Sequence, residues 1–151
     1  MMLELAQQKD AQAILNVVTL SIEACTLDHQ NDPDIIQSWL SNKTLENMKL
    51  WIEKSYSFTY KKNGNIIGFI LLSKEGNLLL NYVLPDQQGM GIGSALINHI
   101  IGICKSNNIE KIKLESTLTA KNFYLSNNFK IIEEIYENNN LVAYRMERII
   151  K

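Results

Sequence analysis

Apolar residues recur with two different periods along the chain. Leu3 and Leu5 flank a charged residue and predict a short first strand. Ala11, Ile14, Leu15, Val18 and Ile22 then recur three and four residues apart, the spacing of one helix face. Asp10 is placed to cap this helix, which is expected to run to about Ala24. Thr26 to Asn31 reads as a loop. Asp32-Pro33 joins a capping carboxylate to proline in the first turn, so a second helix starts there and carries Ile35, Ile36, Trp39 and Leu40. Thr44 is placed to cap a third, containing Leu45, Met48, Trp51 and Ile52.

The pattern then changes to strands. Ser57 to Lys61 and Ile66 to Leu72 flank Asn63-Gly64, a pair that accepts positive φ and predicts a tight hairpin. Glu75-Gly76-Asn77 makes the next turn, and Leu78 to Leu84 returns as a third strand of the meander. After Pro85 and a glycine-rich loop, a helix from about Gly91 to Ser106 buries Leu96, Ile97, Ile100, Ile101 and Cys104. Lys111 to Ser116 is the following strand. Thr119 is placed to cap a short helix through Ala120, Phe123 and Tyr124 to about Asn127. Ile131 to Tyr136 and Val142 to Arg148 close the chain around Asn138-Asn139-Asn140. This order predicts an α+β (mixed α/β) fold with one βαβ crossover in its second half. No repeat or linker divides it, so a single domain is expected over 1–151.

Composition narrows the classes of function. Of 151 residues, 46% are apolar and 21% charged, enough for a core in a folded chain. A net charge of -1 predicts no nucleic-acid partner. Met1 to Leu5 lacks a basic segment followed by an apolar one, and no apolar run nears the roughly 20 residues that span a bilayer. No membrane association and a cytoplasmic location are therefore expected. Cys25 and Cys104 lie far apart, as do His29 and His99, so neither a disulfide framework nor a metal site is expected.

The chemistry concentrates at Gln88-Gly89-Met90-Gly91-Ile92-Gly93-Ser94. Glycines let backbone N–H groups approach a ligand, and the following helix adds free donors and the positive end of its dipole. Such a turn suits a pyrophosphate. No lysine follows Gly93, which argues against a nucleoside-triphosphate loop. Pro85 to Gln88 separate the strand from the glycines and no further parallel βαβ units follow, which argues against a dinucleotide fold, although Glu115 stands at the expected distance for its acidic residue.

The segment resembles the pyrophosphate motif of the GNAT superfamily of N-acetyltransferases, Arg/Gln-x-x-Gly-x-Gly/Ala, matched by Gln88, Gly91 and Gly93. Tyr82-Val83-Leu84-Pro85 resembles the strand before that motif. Ala120 to Phe129 resembles the later Ala-x-x-Phe-Tyr-x-x-x-Gly-Phe, with Asn128 in place of glycine. Asparagine tolerates the left-handed turn, and Gln88 keeps a donor while losing the charge of the commoner arginine.

The resemblance implies a mostly antiparallel sheet of six to seven strands with flanking helices, and a splayed parallel pair with a bulge in the strand before the loop. It implies direct acetyl transfer from acetyl-CoA to a primary amine of a small-molecule or peptide/protein acceptor, and is compatible with a homodimer. The backbone of Val83 and Leu84 would hold the pantetheine and acetyl carbonyl. Gln88, Gly89, Met90, Gly91, Ile92, Gly93 and Ser94 would hold the pyrophosphate, and Asn122 would reach the cofactor. Tyr124 is the candidate general acid, with simple packing beside Phe123 as its alternative. Glu115 is the candidate base, with a solvated strand end as its alternative and a water ordered by Asn81 and Tyr82 as the other route. Cys25 to Asn31, Trp39 and Trp51 fall near the acceptor. There Asp28 and His29 either attract an amine or serve only as polar loop, and the tryptophans suit helix-face packing. The competing function is a non-catalytic acyl-CoA-binding or interaction module on the same fold.

Overall fold

The computed structural model describes residues 2–150. Its elements follow in the order β1 (Met2–Leu5), α1 (Ala11–Glu23), α2 (Thr26–His29), α3 (Pro33–Leu40), α4 (Leu45–Lys54), β2 (Tyr56–Lys62), β3 (Asn65–Leu72), β4 (Leu78–Val83), α5 (Ile92–Ser106), β5 (Lys111–Thr117), α6 (Lys121–Ser126), β6 (Lys130–Glu137) and β7 (Asn140–Ile149). The predicted mixed α+β architecture is the one observed. The strands form two antiparallel groups, β1-β2-β3-β4 and β5-β7-β6. A parallel bridge between Asn77 and Lys113 joins them, with Lys113 N–H donating to the Gly76 carbonyl at 2.9 Å. Gly76 is required there. Its φ is +96°, and a Cβ would lie 2.6 Å from the Lys111 carbonyl oxygen. Beyond this bridge β4 and β5 share no ladder among the described residues, and the gap between them opens toward their C-terminal ends.

A bulge sets which side chains face the gap. Leu71 pairs with Leu80 but Leu72 pairs with Leu78, so Leu79 is an extra residue in β4. Leu78 consequently packs with Ile70, Leu72, Ile97 and Ile100 under α5, while Leu80 packs with Phe69, Leu71, Ile14 and Met48 under α1 and α4. The sheet thus carries a core on each face. After the bulge, alternation turns Asn81 and Val83 toward the α5 face and Tyr82 toward the α1 face.

Local signals explain most boundaries. Asp32 accepts from Asp34 N–H at 2.9 Å and Thr44 from Asn47 N–H at 3.1 Å, so both predicted caps form. Asn63 and Gly64 take positive φ in the β2–β3 hairpin. Asn128 has φ 67°, as a glycine substitute must. Three expectations are corrected. Asp10 precedes α1 but makes no cap bond to it; its carboxylate accepts from Gln7 N–H at the 3-10 turn before the helix. Thr26 to His29 is a helical turn rather than loop, ended by left-handed Gln30 and Asn31. Thr119 does not cap α6. Thr117 accepts from Ala120 N–H instead, and Thr119 is engaged by a distant carboxylate.

Candidate functional site

The splayed strands leave a cavity of about 1190 Å³. It runs through the gap and is walled from both faces of the sheet. On the α5 face lie the glycine turn, Phe123 and Tyr124. On the α1 face lie Ser21 and Cys25, the α3–α4 connection and Tyr82. Its size exceeds the usual range for compact ligands, roughly 300–1,000 Å³, and suits an elongated one meeting a second molecule.

The glycine turn is built to present donors. Gly89 and Gly91 have φ of +82° and +81°, and Gly91 stands at the N-cap of α5. The first helical bond is Ala95 N–H to the Gly91 carbonyl at 3.0 Å, so Ile92, Gly93 and Ser94 keep N–H groups without helical acceptors. All three residues line the cavity, where the positive end of the α5 dipole favours an anion. Gly93 serves a different need. A Cβ there would lie 2.9 Å from the Phe123 ring, so its absence lets α6 close against the first turn of α5.

The strand before the turn supplies the other wall. Leu84 N–H donates to the Ile67 carbonyl at 2.9 Å. Antiparallel alternation then directs the N–H groups of Val83 and Asn81 away from β3, into the gap. The Val83 carbonyl accepts from Ser21 Oγ and from Gln88 Nε2, both at 3.1 Å. Gln88 is thus folded back over the turn. Val83, Gln88, Gly89 and Gly91 line the cavity with the α5 residues; Leu84, Met90 and Asn122 do not, and the last two are exposed.

Tyr124 is buried where the two walls meet, in edge contact with Phe123 and Phe129. Its hydroxyl accepts from Asn81 Nδ2 at 3.4 Å, a long bond, and its own proton has no acceptor among the described residues. Burial pushes its pKa up to about 12, against the opposing effect of the Asn81 bond. Burial likewise raises Tyr82, with nearby Cys25 and Tyr124 adding to it, and raises the Cys25 thiol to about 11, with Asp28 adding to it. Cys25 is therefore a protonated thiol rather than a nucleophile, and its Sγ donates to the Ser21 carbonyl. Asn81 Oδ1 and Gln87 Oε1 are buried without a partner among the described residues, and both residues line the cavity. Acceptors left so await an N–H or O–H from a ligand or water. Glu115, on the face of β5 opposite Leu114, lines the same cavity and makes no ion pair among the described residues.

Asp28 and His29 are spent on structure. The Asp28 carboxylate accepts from Leu118 N–H at 2.6 Å, Thr119 N–H at 3.3 Å and the Thr119 hydroxyl. It clamps the β5–α6 loop across the open end of the gap. His29 is buried, with Nε2 against the Ile22 and Glu23 carbonyls and Nδ1 accepting from Asn31 N–H. Trp39 and Trp51 pack against the α1-face core, and Trp39 also lines the cavity. Asp28→Ala leaves two loop N–H groups without their acceptor and is expected to cost about 1–3 kcal/mol. Hydrogen exchange should show Leu118 and Thr119 deprotected ahead of the core strands.

Sequence reasoning missed Ser21 and Lys43 as cavity residues. Neither belongs to a motif, and only the packing of α1 and α3 over the sheet brings them there. Among the described residues no group of three or more His, Cys, Asp and Glu could hold a metal ion, and no helix is long and apolar enough to cross a membrane.

Comparison with known proteins agrees with this geometry. Residues 26–150 match the family model described as an acetyltransferase (GNAT) domain. No curated protein sequence matches the chain. Among solved structures, a GCN5-related N-acetyltransferase from Rhodopseudomonas palustris superposes with a TM-score of 0.85 at 17% identity, covering 98% of this chain and 94% of that one. A paia N-acetyltransferase from Thermoplasma acidophilum, in complex with coenzyme A, gives 0.82 at 20% identity over 98% of both chains. The ribosomal-protein-S18-alanine N-acetyltransferase from Escherichia coli gives 0.69 at 20% identity, covering 99% of this chain and 93% of that one. With its family model matched over most of its length and its sheet opened beside a glycine turn, this chain belongs to the GNAT acetyltransferase family.

Proposed function

We propose that the protein transfers the acetyl group of acetyl-CoA directly to a primary amine, with residues 1–151 acting as one domain. The observation that carries this reading is the cavity itself. It joins an anion-binding turn on one face of the sheet to a polar chamber on the other, with a protonated phenol between them. The residues present fit coenzyme A. Free N–H groups at Ile92, Gly93 and Ser94 suit a pyrophosphate, and the gap-facing N–H groups of β4 suit an extended amide chain. Among the described residues Lys43 is the one cation lining the cavity, and it lies outside the glycine turn, so the backbone and the helix dipole would carry the anion. The free thiols Cys25 and Cys104 accord with a reducing, cytoplasmic setting.

The chemistry has three demands. The amine nitrogen forms a bond to the thioester carbon, the C–S bond breaks, and the departing thiolate needs a proton while the amine loses one. Tyr124 holds an uncommitted phenolic proton and is assigned to the thiolate. Asn81 Oδ1, unpartnered beside it, is assigned to orient the incoming N–H or a water. Glu115 is the acid that lines the cavity and is assigned the amine's proton.

Calorimetry with acetyl-CoA, followed by thiol release across a panel of amines, tests the reading. Binding with a Kd on the order of tens of micromolar or below and amine-dependent thiol release are expected. Absence of binding would overturn it. Binding without release for any amine would favour the acyl-CoA-binding module.

A further inference from the structure

The chamber on the α1 face holds two opposite charges that the catalytic reading does not fully use. Lys43, just after α3, is the cation lining the cavity among the described residues, and Glu115 is the acid. They form no ion pair with each other or with any other described residue. The Lys43 ammonium donates to the Trp39 carbonyl at 2.7 Å and to Asn42 Oδ1 at 2.9 Å, both neutral acceptors. An ammonium carries three donors, so one N–H stays uncommitted. Lys43 is half-buried, and burial lowers its pKa. A cation partly stripped of water without a counter-ion gains when an anion reaches it.

Position separates Lys43 from the cofactor's phosphates. The glycine turn leads into α5, whose Ile92 packs in the α5-face core, whereas Lys43 bonds the carbonyl of Trp39, whose side chain packs on the α1-face core. We infer that the acceptor amine also carries an anionic group, a carboxylate or a phosphate, which the Lys43 ammonium receives while the amine end turns toward Glu115 and Asn81. This rests on the acetyltransferase reading. It excludes polycationic acceptors as preferred substrates, because they would set like charge against Lys43.

The test compares matched amines in the thiol-release assay, with rates corrected for the fraction of free amine. One set pairs amino acids with their α-carboxamides; the other pairs phosphoethanolamine with ethanolamine. The anionic member is expected to show kcat/KM higher by about tenfold or more, the scale of one charge-assisted hydrogen bond. The pair that shows the preference tells carboxylate from phosphate. Lys43→Gln should bring the ratio toward one without changing the KM for acetyl-CoA, and Lys43→Arg should restore most of the preference. A purely structural role at the end of α3 would lower melting temperature and slow all amines alike, leaving the ratio intact. That result, equal rates within every pair in the wild type, or a raised acetyl-CoA KM with an unchanged ratio would each overturn the inference. Release with neutral amines but without preference overturns this inference alone, whereas no release with any amine overturns the acetyltransferase reading and this inference with it.

Discussion

Tyr124→Phe is expected to lower kcat for acetyl transfer by about 100-fold, the lower part of the range for a positioned proton donor. Its affinity for acetyl-CoA should change little. The ring and its contacts with Phe123 and Phe129 remain, and only the hydroxyl proposed as the thiolate's proton donor is lost. A group that acts only in the transition state lowers kcat and kcat/KM together, so stopped-time thiol release and calorimetry on the same preparation separate it from a binding residue. Unchanged turnover would leave Tyr124 as packing. Stability should fall by about 1 kcal/mol, because Asn81 Nδ2 loses its acceptor. The pH dependence has a definite sign. The folded protein holds the Tyr124 proton to about pH 12, whereas the unfolded phenol releases it near 10. The stabilisation tied to that proton is therefore intact below pH 10 and is lost as pH rises through 12. Cys25 adds a loss that begins near pH 9, and Tyr82 adds one above pH 10. In Tyr124→Phe the alkaline fall in melting temperature should be shallower by the Tyr124 share.

Gly93→Val is expected to lower kcat/KM by about 100-fold, the scale associated with misplacing reacting groups by about an ångström. The new Cβ would meet Phe123 Cε1 and Cζ at 2.9 Å, well inside contact distance. Phe123 is followed by Tyr124 on the short helix α6, so pushing its ring outward draws the phenol from Asn81 and widens the cavity wall. Overpacking of this kind costs about 1–3 kcal/mol as well. Gly102→Ala is the control within the same helix. Nothing lies within 4 Å of a Cβ there, and replacing a mid-helix glycine should leave activity intact and raise stability by about 0.5–1 kcal/mol. Equal behaviour of the two variants in turnover would dissociate the Gly93–Phe123 contact from the site.

Much of this architecture is legible in the order of residues alone, wherever the signal is local. The stripe Leu96, Ile97, Ile100, Ile101 and Cys104 is buried as its spacing predicts, because one helix face must meet the sheet. Asp32 and Thr44 cap their helices, and Asn63-Gly64 turns the hairpin, because each acts on backbone within three residues of itself. Thr26 to His29 was not legible in that way. Its helical turn is held by the buried His29 ring on the carbonyls of Ile22 and Glu23, a contact no periodicity announces. The Thr119 cap fails for a similar reason. Asp28, about ninety residues earlier in the chain, takes Thr119, and Thr117 accepts from Ala120 N–H while α6 starts without a side-chain cap.

The sequence by itself determined the strands, every helix except α2, their order, and a glycine turn at the head of α5 that presents free N–H donors, since these depend on neighbours along the chain. Only the tertiary structure decided what that turn works with. The Leu79 bulge sends Asn81 to one face and Tyr82 to the other, which places an amide against Tyr124 across 43 residues of sequence. The same fold bends Gln88 onto the Val83 carbonyl, and it brings Lys43 and Glu115 into one chamber from unrelated segments. Such meetings are set by how the helices pack on the two faces of the sheet. Long-range packing leaves no periodic trace in the residues that it brings together.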